Sequence, residues 1–344
     1  MSEIRRAIES LVSAGTVDAD CLGAAFGEIM DGEASPAAAA GLLVGLRMKG
    51  ETVDEIVAVA RALRARATTV KMQDSRTIDT CGTGGSGLDT FNISTTAAFV
   101  VAGAGISVAK HGNRAATSRS GSFDVLEALG VRIDLPLNVY AEILGEVGIA
   151  PFFARTAHPA FRHVAPVRAE LGVRTLLNCL GPLLSPVGAR YQLVGVYSES
   201  LVVPLAEALG ELGAERALVV HGSDGMDELT TTGTSAAALV TGAGVERLTV
   251  EPTALGFELA ALADLIGGTP EENARTTRGI LAGERGPKRD IVLLNAAAAL
   301  WVAEATASLE EGLVAAAKSI DDGAGLAKLD ALAMATHDAA GATA

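Results

Sequence analysis

From Arg76 onward the chain alternates between two periods. The apolar runs Thr77–Cys81, Ile106–Ala109, Ala217–His221, Ala236–Val240 and Glu246–Val250 have strand length, and helical patterns at Ser94–Ala102, Phe123–Leu129 and Leu201–Leu212 separate them. Strands spaced by helices predict an α/β unit with a mostly parallel central sheet and flanking helices. Packing falls to Ala, Val and Leu, because 49% of the chain is hydrophobic but only 3% aromatic. An alanine-rich helical tail is expected from Arg289 to about Ala317.

The segment before Arg76 has a different texture and reads as helical throughout. Ser35-Pro36 sets a cap and a proline at the start of one helix, which ends near Gly50. Thr52-Val-Asp-Glu55 is a capping-box pattern opening the next, expected to run to about Ala67. Pro166–Pro186 interrupts the later alternation with a helix-like stretch and a Gly-Pro, as if the chain left the α/β body and returned.

The formal net charge of -14 argues against nucleic acid or an anionic membrane as the main partner. An anionic substrate then requires clustered basic residues and accompanying metal ions. Three cysteines, Cys21, Cys81 and Cys179, lack CxxC spacing and fit a reduced, cytoplasmic setting. Cys81 reads as small buried filler in preference to a nucleophile. MSEIRRAIESLV is an amphipathic helix and not a signal peptide. The apolar stretches Ala97–Ala109 and Ile291–Ala303 fall short of the ~20 residues that span a bilayer.

Asp79-Thr-Cys-Gly-Thr-Gly-Gly-Ser-Gly87 follows the first strand. Gly82, Gly84 and Gly87 match GxGxxG, but Leu88–Ile93 delay the helix, and the next strand ends at Lys110-His111 with no carboxylate nearby. A dinucleotide fingerprint and a Walker A loop both fail on these grounds. Glycines interleaved with hydroxyls at a strand end suit a phosphate group better than a plain turn. Asn92 or Ser94 is expected to cap the following helix and aim its amides at an anion.

The second loop, Lys110-His-Gly-Asn-Arg-Ala-Ala-Thr-Ser118, supplies the required cations. Between Val108 and Phe123 lie Lys110, Arg114 and Arg119 with no Asp or Glu. Their mixture with Gly, Asn, Thr and Ser suits close contact with a polyphosphate.

The string from Asp79 through Gly121, which holds both loops, together with Pro166–Glu170, Asn178-Cys-Leu-Gly-Pro182 and His221-Gly-Ser-Asp-Gly-Met-Asp-Glu-Leu229, resembles the anthranilate phosphoribosyltransferases. The likeness runs from about Met48 to the tail, in order, and is dense at four separate motifs. It implies transfer of the phosphoribosyl group from phosphoribosyl pyrophosphate to the amine of anthranilate, in tryptophan biosynthesis. It also implies a small helical domain, residues 1–72 joined by about 165–184, that makes a homodimer. Residues 73–164 and 185–344 then form the α/β domain, of the nucleoside phosphorylase/phosphoribosyltransferase kind.

By the same resemblance, phosphoribosyl pyrophosphate falls on Gly82, Gly85, Ser86, Thr90, Asn92, Ile93, Ser94, Thr95, Lys110, His111, Gly112, Asn113, Arg114, Ala115, Ala116, Thr117, Ser118 and Ser122. Anthranilate falls on Gly82, Asn113, His158, Arg168 and Gly181, with Lys110, His111 and Arg168 as the catalytic set. Two magnesium ions are implied, one touched by Ser94 and one held by Asp227 and Glu228. The chemistry agrees, since a departing pyrophosphate gathers negative charge that cations and helix-end amides stabilise. The planar fork of Arg168 suits a carboxylate, and adjacent carboxylates suit magnesium held partly through water. Two positions depart from the family pattern: Ser86 stands where Asp is usual, and Phe161 where Tyr is frequent.

A nucleoside phosphorylase on a related fold is the rival enzyme, but it should lack the combination of Asn113, Arg168 and Asp227-Glu228. A non-catalytic, nucleic-acid-binding paralogue should be basic and should have lost the acid pair.

Overall fold

The structure, a computed structural model, describes residues 1–72, 76–115 and 119–343. Its helices and strands follow one another as α1 (Glu3–Ala14), α2 (Ala19–Met30), α3 (Pro36–Lys49), α4 (Val53–Arg64), β1 (Ile78–Gly82), α5 (Ile93–Gly103), β2 (Val108–Gly112), α6 (Ser122–Ala128), α7 (Leu137–Val147) and β3 (Ile149–Phe153). Then come α8 (Ala154–Ala157), α9 (Ala165–Leu171), β4 (Tyr191–Gly195), α10 (Val202–Glu211), β5 (Arg216–Gly222), β6 (Ser235–Thr241), β7 (Gly244–Val250), α11 (Pro270–Leu281), α12 (Pro287–Val302), α13 (Leu309–Asp321) and α14 (Ala324–Thr343).

Local chemistry explains the first four helices. Ser35 accepts from the Ala38 amide with Pro36 at the first position, and Thr52 and Glu55 exchange both bonds of a capping box. The buried Glu55 carboxylate also pairs with Lys49 at 2.8 Å. Helix α4 ends at Arg64, three residues short of the expected Ala67. Leu22, Phe26, Leu42, Leu46, Ile56 and Leu63 fill the space between these helices. Val164, Val167, Leu176, Leu180 and Leu183 of the inserted stretch join the same core.

Seven strands form one sheet in the order β3-β2-β1-β4-β5-β6-β7. Pairing is parallel from β3 to β5 and antiparallel for β6 and β7. The five expected strands are all present, with ends shifted by at most three residues, and the sequence reading missed two more. Strand β3 carries Pro151 at its centre, which reads as a break, but β3 is an edge strand and its missing donor costs no ladder bond. Strand β4 has the polar Gln192 as its second residue, which is buried and donates to the Pro182 carbonyl at 2.8 Å. The expected single tail helix is two, α12 and α13, separated where Glu304 turns to φ 56° and Ser308 caps the restart.

The sheet's faces are covered unequally. Leu193, Leu218, Val220, Ala237 and Leu239 pack with α5, α12 and the C-terminal helices. Val194, Val219, Ala238 and Val240 pack toward α10 and share a core with the helical bundle. Arg64 secures that junction, with Nε donating to Leu183 O at 2.6 Å and Nη1 to Leu212 O at 3.1 Å.

Sequential strands run outward from β1 to β3, then the chain crosses back to lay β4 on the other side of β1. That reversal opens a crevice beyond the C-terminal ends of β1 and β4, where ligands bind in doubly wound sheets. Replacing Arg64 by Met should leave Leu183 O and Leu212 O unpaired and lower stability by about 2 kcal/mol. Urea unfolding followed by circular dichroism checks this; an unchanged midpoint would show that the junction rests on apolar contact alone.

Candidate active site

Strands β1 and β4 end side by side, with Gly82 opposite Gly195. The segment Met226–Glu228 lies directly on those two glycines. A Cβ on Gly195 would stand 1.7 Å from the Asp227 carbonyl oxygen, and one on Gly82 would stand 2.8 Å from Asp227 Oδ2. No side chain fits at Gly195, which the sequence reading did not single out. Beyond Gly82 the loop turns through Gly84, Gly85 and Gly87, with φ of 66°, 81° and 76°. The Gly84 amide donates to Asp227 Oδ2 at 2.9 Å, and the Ser86 hydroxyl also bonds to that carboxylate.

Glu228 reaches the opposite wall. Its Oε1 accepts from the Ser94 amide at 3.1 Å and so caps α5. This corrects the expectation that Asn92 or Ser94 supplies the cap. Asn92 occupies the cap position, but its side chain instead joins Ser120 and accepts from Asn273 Nδ2 at 3.0 Å. Asn92 thus ties the glycine loop to the basic loop. Asp227 and Glu228 are half-buried, not an exposed pair. Burial raises the pKa of Asp227, and burial with the neighbouring Asp227 charge pushes Glu228 up to about 8.

Lys110 is the nearest cation. It is buried on β2, and its Nζ donates to Thr80 O and to Ser94 Oγ, the latter at 3.3 Å. Beneath it lies Asp79, an acid that the sequence reading left without a role. Asp79 is wholly buried and accepts from the His111 amide at 3.1 Å, while its Oδ2 has no partner. Burial pushes its carboxyl up to about 7, against the pull of Lys110. Cys81 is buried and its thiol is pushed up by burial and then by Asp79, so it is filler and not a nucleophile.

His111 is buried edge-on to His158, with ring centroids 5.5 Å apart. Burial, with the nearby His158 and Lys110, lowers its pKa to about 3. The imidazole is therefore neutral and adds no charge to the basic loop. Nε2 of His158 donates to Leu184 O at 2.8 Å, which leaves Nδ1 as an acceptor. The Gly181 backbone faces His111.

In the basic loop, Asp124 binds the amides of Ala115 and Gly121, each at 2.9 Å, and so holds the two ends together. Arg114 pairs with Asp124 and Glu127 at 3.0 and 2.9 Å. The loop itself has no acid, but the next helix supplies two, so Arg114 is not a free cation. Ser122 Oγ donates to Asn113 O at 3.2 Å beside Gly112, and the Asn113 amide oxygen accepts from Arg114 N. Ala116, Thr117 and Ser118 lie outside the described residues. Thr90 bridges to Ile266, and Ile93 and Thr95 are buried in the first turn of α5.

The inserted segment faces this network. Arg168 on α9 is half-buried, burial lowers its pKa, and its guanidinium makes no hydrogen bond or ion pair among the described residues. Arg174, unnoticed in the sequence, donates to Gly85 O and lies 4.4 Å over the Tyr197 ring, clasping the glycine loop from the helical side. Tyr197 is fixed in turn by its amide on Thr83 Oγ1 at 3.1 Å. The cleft therefore combines helix-end amides, one buried lysine, two half-buried carboxylates and an arginine without a carboxylate partner.

Comparison with known proteins agrees with this arrangement. The glycosyl transferase family a/b domain matches residues 74–326, and the helical bundle domain of that family matches residues 5–67. The anthranilate phosphoribosyltransferase of Rubrobacter xylanophilus is 54% identical over 91% of this chain and 92% of that protein. That of Moorella thermoacetica is 53% identical over 88% and 90%. The crystal structure of the Thermus thermophilus enzyme superposes with a TM-score of 0.92 at 44% identity, covering 98% of this chain and 100% of that one. The Saccharomyces cerevisiae enzyme in complex with PRPP and Mg gives 0.90 at 26% identity, covering 97% and 98%. By sequence, fold and the placement of its motifs, this chain belongs to the anthranilate phosphoribosyltransferases.

Proposed function

We propose that the crevice above β1 and β4 binds phosphoribosyl pyrophosphate and that anthranilate enters from the side of the inserted segment. The observation that carries this reading is the meeting of the glycine loop, the α5 amides, Lys110 and the Asp227-Glu228 pair at one topological switch point. The enzyme transfers the phosphoribosyl group to the anthranilate amine. The C1–N bond forms from the amine lone pair, the C1–O bond breaks, pyrophosphate leaves with that electron pair, and the nitrogen sheds one proton.

Each residue has a task in this account. Backbone amides of the glycine loop and Lys110 hold the pyrophosphate end, where oriented donors act on the charge that develops. His111, neutral and buried against His158, gives anthranilate an uncharged wall. Arg168 takes the anthranilate carboxylate. Asp227 and Glu228 suit magnesium, since two adjacent carboxylates that burial makes harder to ionise gain from a cation beside them. A second ion at Ser94 rests on the family resemblance alone, because Ser94 Oγ here accepts from Lys110 Nζ. Magnesium, when bound, neutralises charge on the leaving pyrophosphate. Ser86 bonds to Asp227 where a family aspartate would bring a further negative charge.

A homodimer and a cytoplasmic setting belong to the same reading, as does a helical unit of residues 1–72 with 165–184. Val12 and Met48, 83% and 84% exposed on α1 and α3, offer the helical unit an apolar contact face. Cys21, Cys81 and Cys179 are all free thiols. Among the described residues no helix is long and apolar enough to cross a membrane.

Loss of anthranilate fluorescence on adding phosphoribosyl pyrophosphate and magnesium measures the reaction directly. In that assay Arg168→Ala should raise the KM for anthranilate far more than that for phosphoribosyl pyrophosphate. A lost charge-assisted bond of roughly 1.5–3 kcal/mol corresponds to about 10- to 150-fold. Equal effects on both substrates would remove Arg168 from the anthranilate site.

The raised carboxyls carry a pH signature. Near neutral pH the folded chain keeps protons on Asp79 and Glu228 that the unfolded chain has released by roughly pH 5. Metal-free stability should therefore fall as pH rises through 7 to 8. His111 and His158, with lowered pKa values, act in the opposite sense; their unfolded imidazoles are half discharged at about pH 6.5 and almost wholly by about pH 7.5, so they offset only part of the loss in that range. The metal-free melting temperature should thus decline between about pH 6.5 and 8.5. Magnesium should recover more of it at the higher pH, and Asp227→Asn/Glu228→Gln should flatten the decline. A flat wild-type profile would contradict the assignment.

A further inference from the structure

Asn295 stands in the middle of α12, a helix whose neighbouring positions Ile291, Val292, Leu294 and Ala296–Ala299 are all buried and apolar. Asn295 itself has no exposed surface. A leucine would fit such a position at lower desolvation cost. The amide is nevertheless fully used. Its Oδ1 accepts from the Leu229 amide at 3.1 Å, and its Nδ2 donates to Leu229 O at 2.8 Å and to Ile291 O at 2.9 Å.

Leu229 directly follows Glu228, and both of its backbone groups are satisfied by this one side chain in place of a strand partner. A buried peptide must find such partners, so the position of Leu229 follows that of Asn295. On the other side of the acid pair, Gly222 N donates to Met226 O at 2.9 Å, and Asp224 binds the Met226 amide, Thr230 Oγ1 and Thr232 Oγ1 at 2.6–3.0 Å. The Asp227-Glu228 backbone is thus fixed at both ends, and the C-terminal fixing point is Asn295.

We infer that Asn295 is a positioning residue for the metal-binding carboxylates. Through the Leu229 peptide it sets where the Glu228 carboxylate meets the α5 amides and where magnesium is held. The inference rests on the assignment of Asp227 and Glu228 to magnesium. It goes beyond that assignment by giving a residue on a core helix, remote in sequence from every motif, control of the cation requirement.

Titration calorimetry with phosphoribosyl pyrophosphate across a magnesium series tests this without turnover. Asn295→Leu keeps the branched outline and number of heavy atoms of the side chain and removes all three bonds. It should raise the magnesium concentration needed for half-maximal substrate affinity by about ten-fold or more, as loss of a residue supporting metal ligands does. The KM for anthranilate should stay within about two-fold, because the Arg168 side of the cleft is untouched. Asn295→Asp retains an acceptor for the Leu229 amide and should give a smaller shift in the same direction; if Asn295→Leu does not fold, this variant decides. Asp227→Asn is the control. A magnesium dependence unchanged in a folded Asn295 variant but shifted in Asp227→Asn overturns the inference alone. No shift in Asp227→Asn overturns the metal assignment and the inference with it.

Discussion

The carbonyl of Asp227 rests on the end of β4, and its carboxylate turns back over the end of β1. Both contacts exist because Gly195 and Gly82 have no side chains. From that point the site assembles outward. Asp227 holds the Gly84 amide and Ser86 in the glycine loop, Glu228 caps α5, and Ser94 of that helix meets Lys110 from β2. Three parallel strands and two loops are therefore joined through one dipeptide that enters from a fourth strand, β5. Close backbone approach of this kind requires glycine, and the two glycines face each other in register.

The electrostatics of the cleft run against its own stability. Asp79 is buried and Asp227 and Glu228 are half-buried, Lys110 pulls on Asp79 and Glu228 only, and burial makes all three carboxyls resist ionisation. Sites that bind charged ligands store this sort of imbalance. The ligand that corrects it must bring cations for the acid pair and phosphate oxygens for the amides and lysine. On the proposed reading magnesium with a polyphosphate brings both, and a chain of net charge -14 then accommodates an anionic substrate.

Much of this arrangement was legible in the sequence, because glycine-rich loops and capping boxes are local patterns. Gly82–Gly87, Lys110 and Asp227-Glu228 stand in short, distinctive strings, and the helix starts at Ser35 and Thr52 were correctly marked. What escaped was non-local. Gly195 looks like any strand-end glycine until Asp227 is placed 32 residues later on top of it. Arg174 and Tyr197 acquire meaning only when the inserted segment folds over the loop. The Asn92 cap was misassigned for the same reason: a local donor was expected, and a carboxylate 136 residues away does the work. Strands β3 and β4 were hidden by Pro151 and Gln192, whose tolerance depends on an edge position and on the Pro182 carbonyl.

The central claim is that the approach of Asp227 to the ends of β1 and β4 forms the substrate site. Adding one methyl group at Gly195 tests it most directly, because that carbon would collide with the Asp227 carbonyl and nothing else within 3.3 Å except the same residue's backbone. Calorimetric binding of phosphoribosyl pyrophosphate with magnesium should be weakened at least about ten-fold in Gly195→Ala, the penalty expected when a packed backbone is forced aside. Far-UV circular dichroism should show the sheet intact. Wild-type affinity in a folded Gly195→Ala protein would contradict the account.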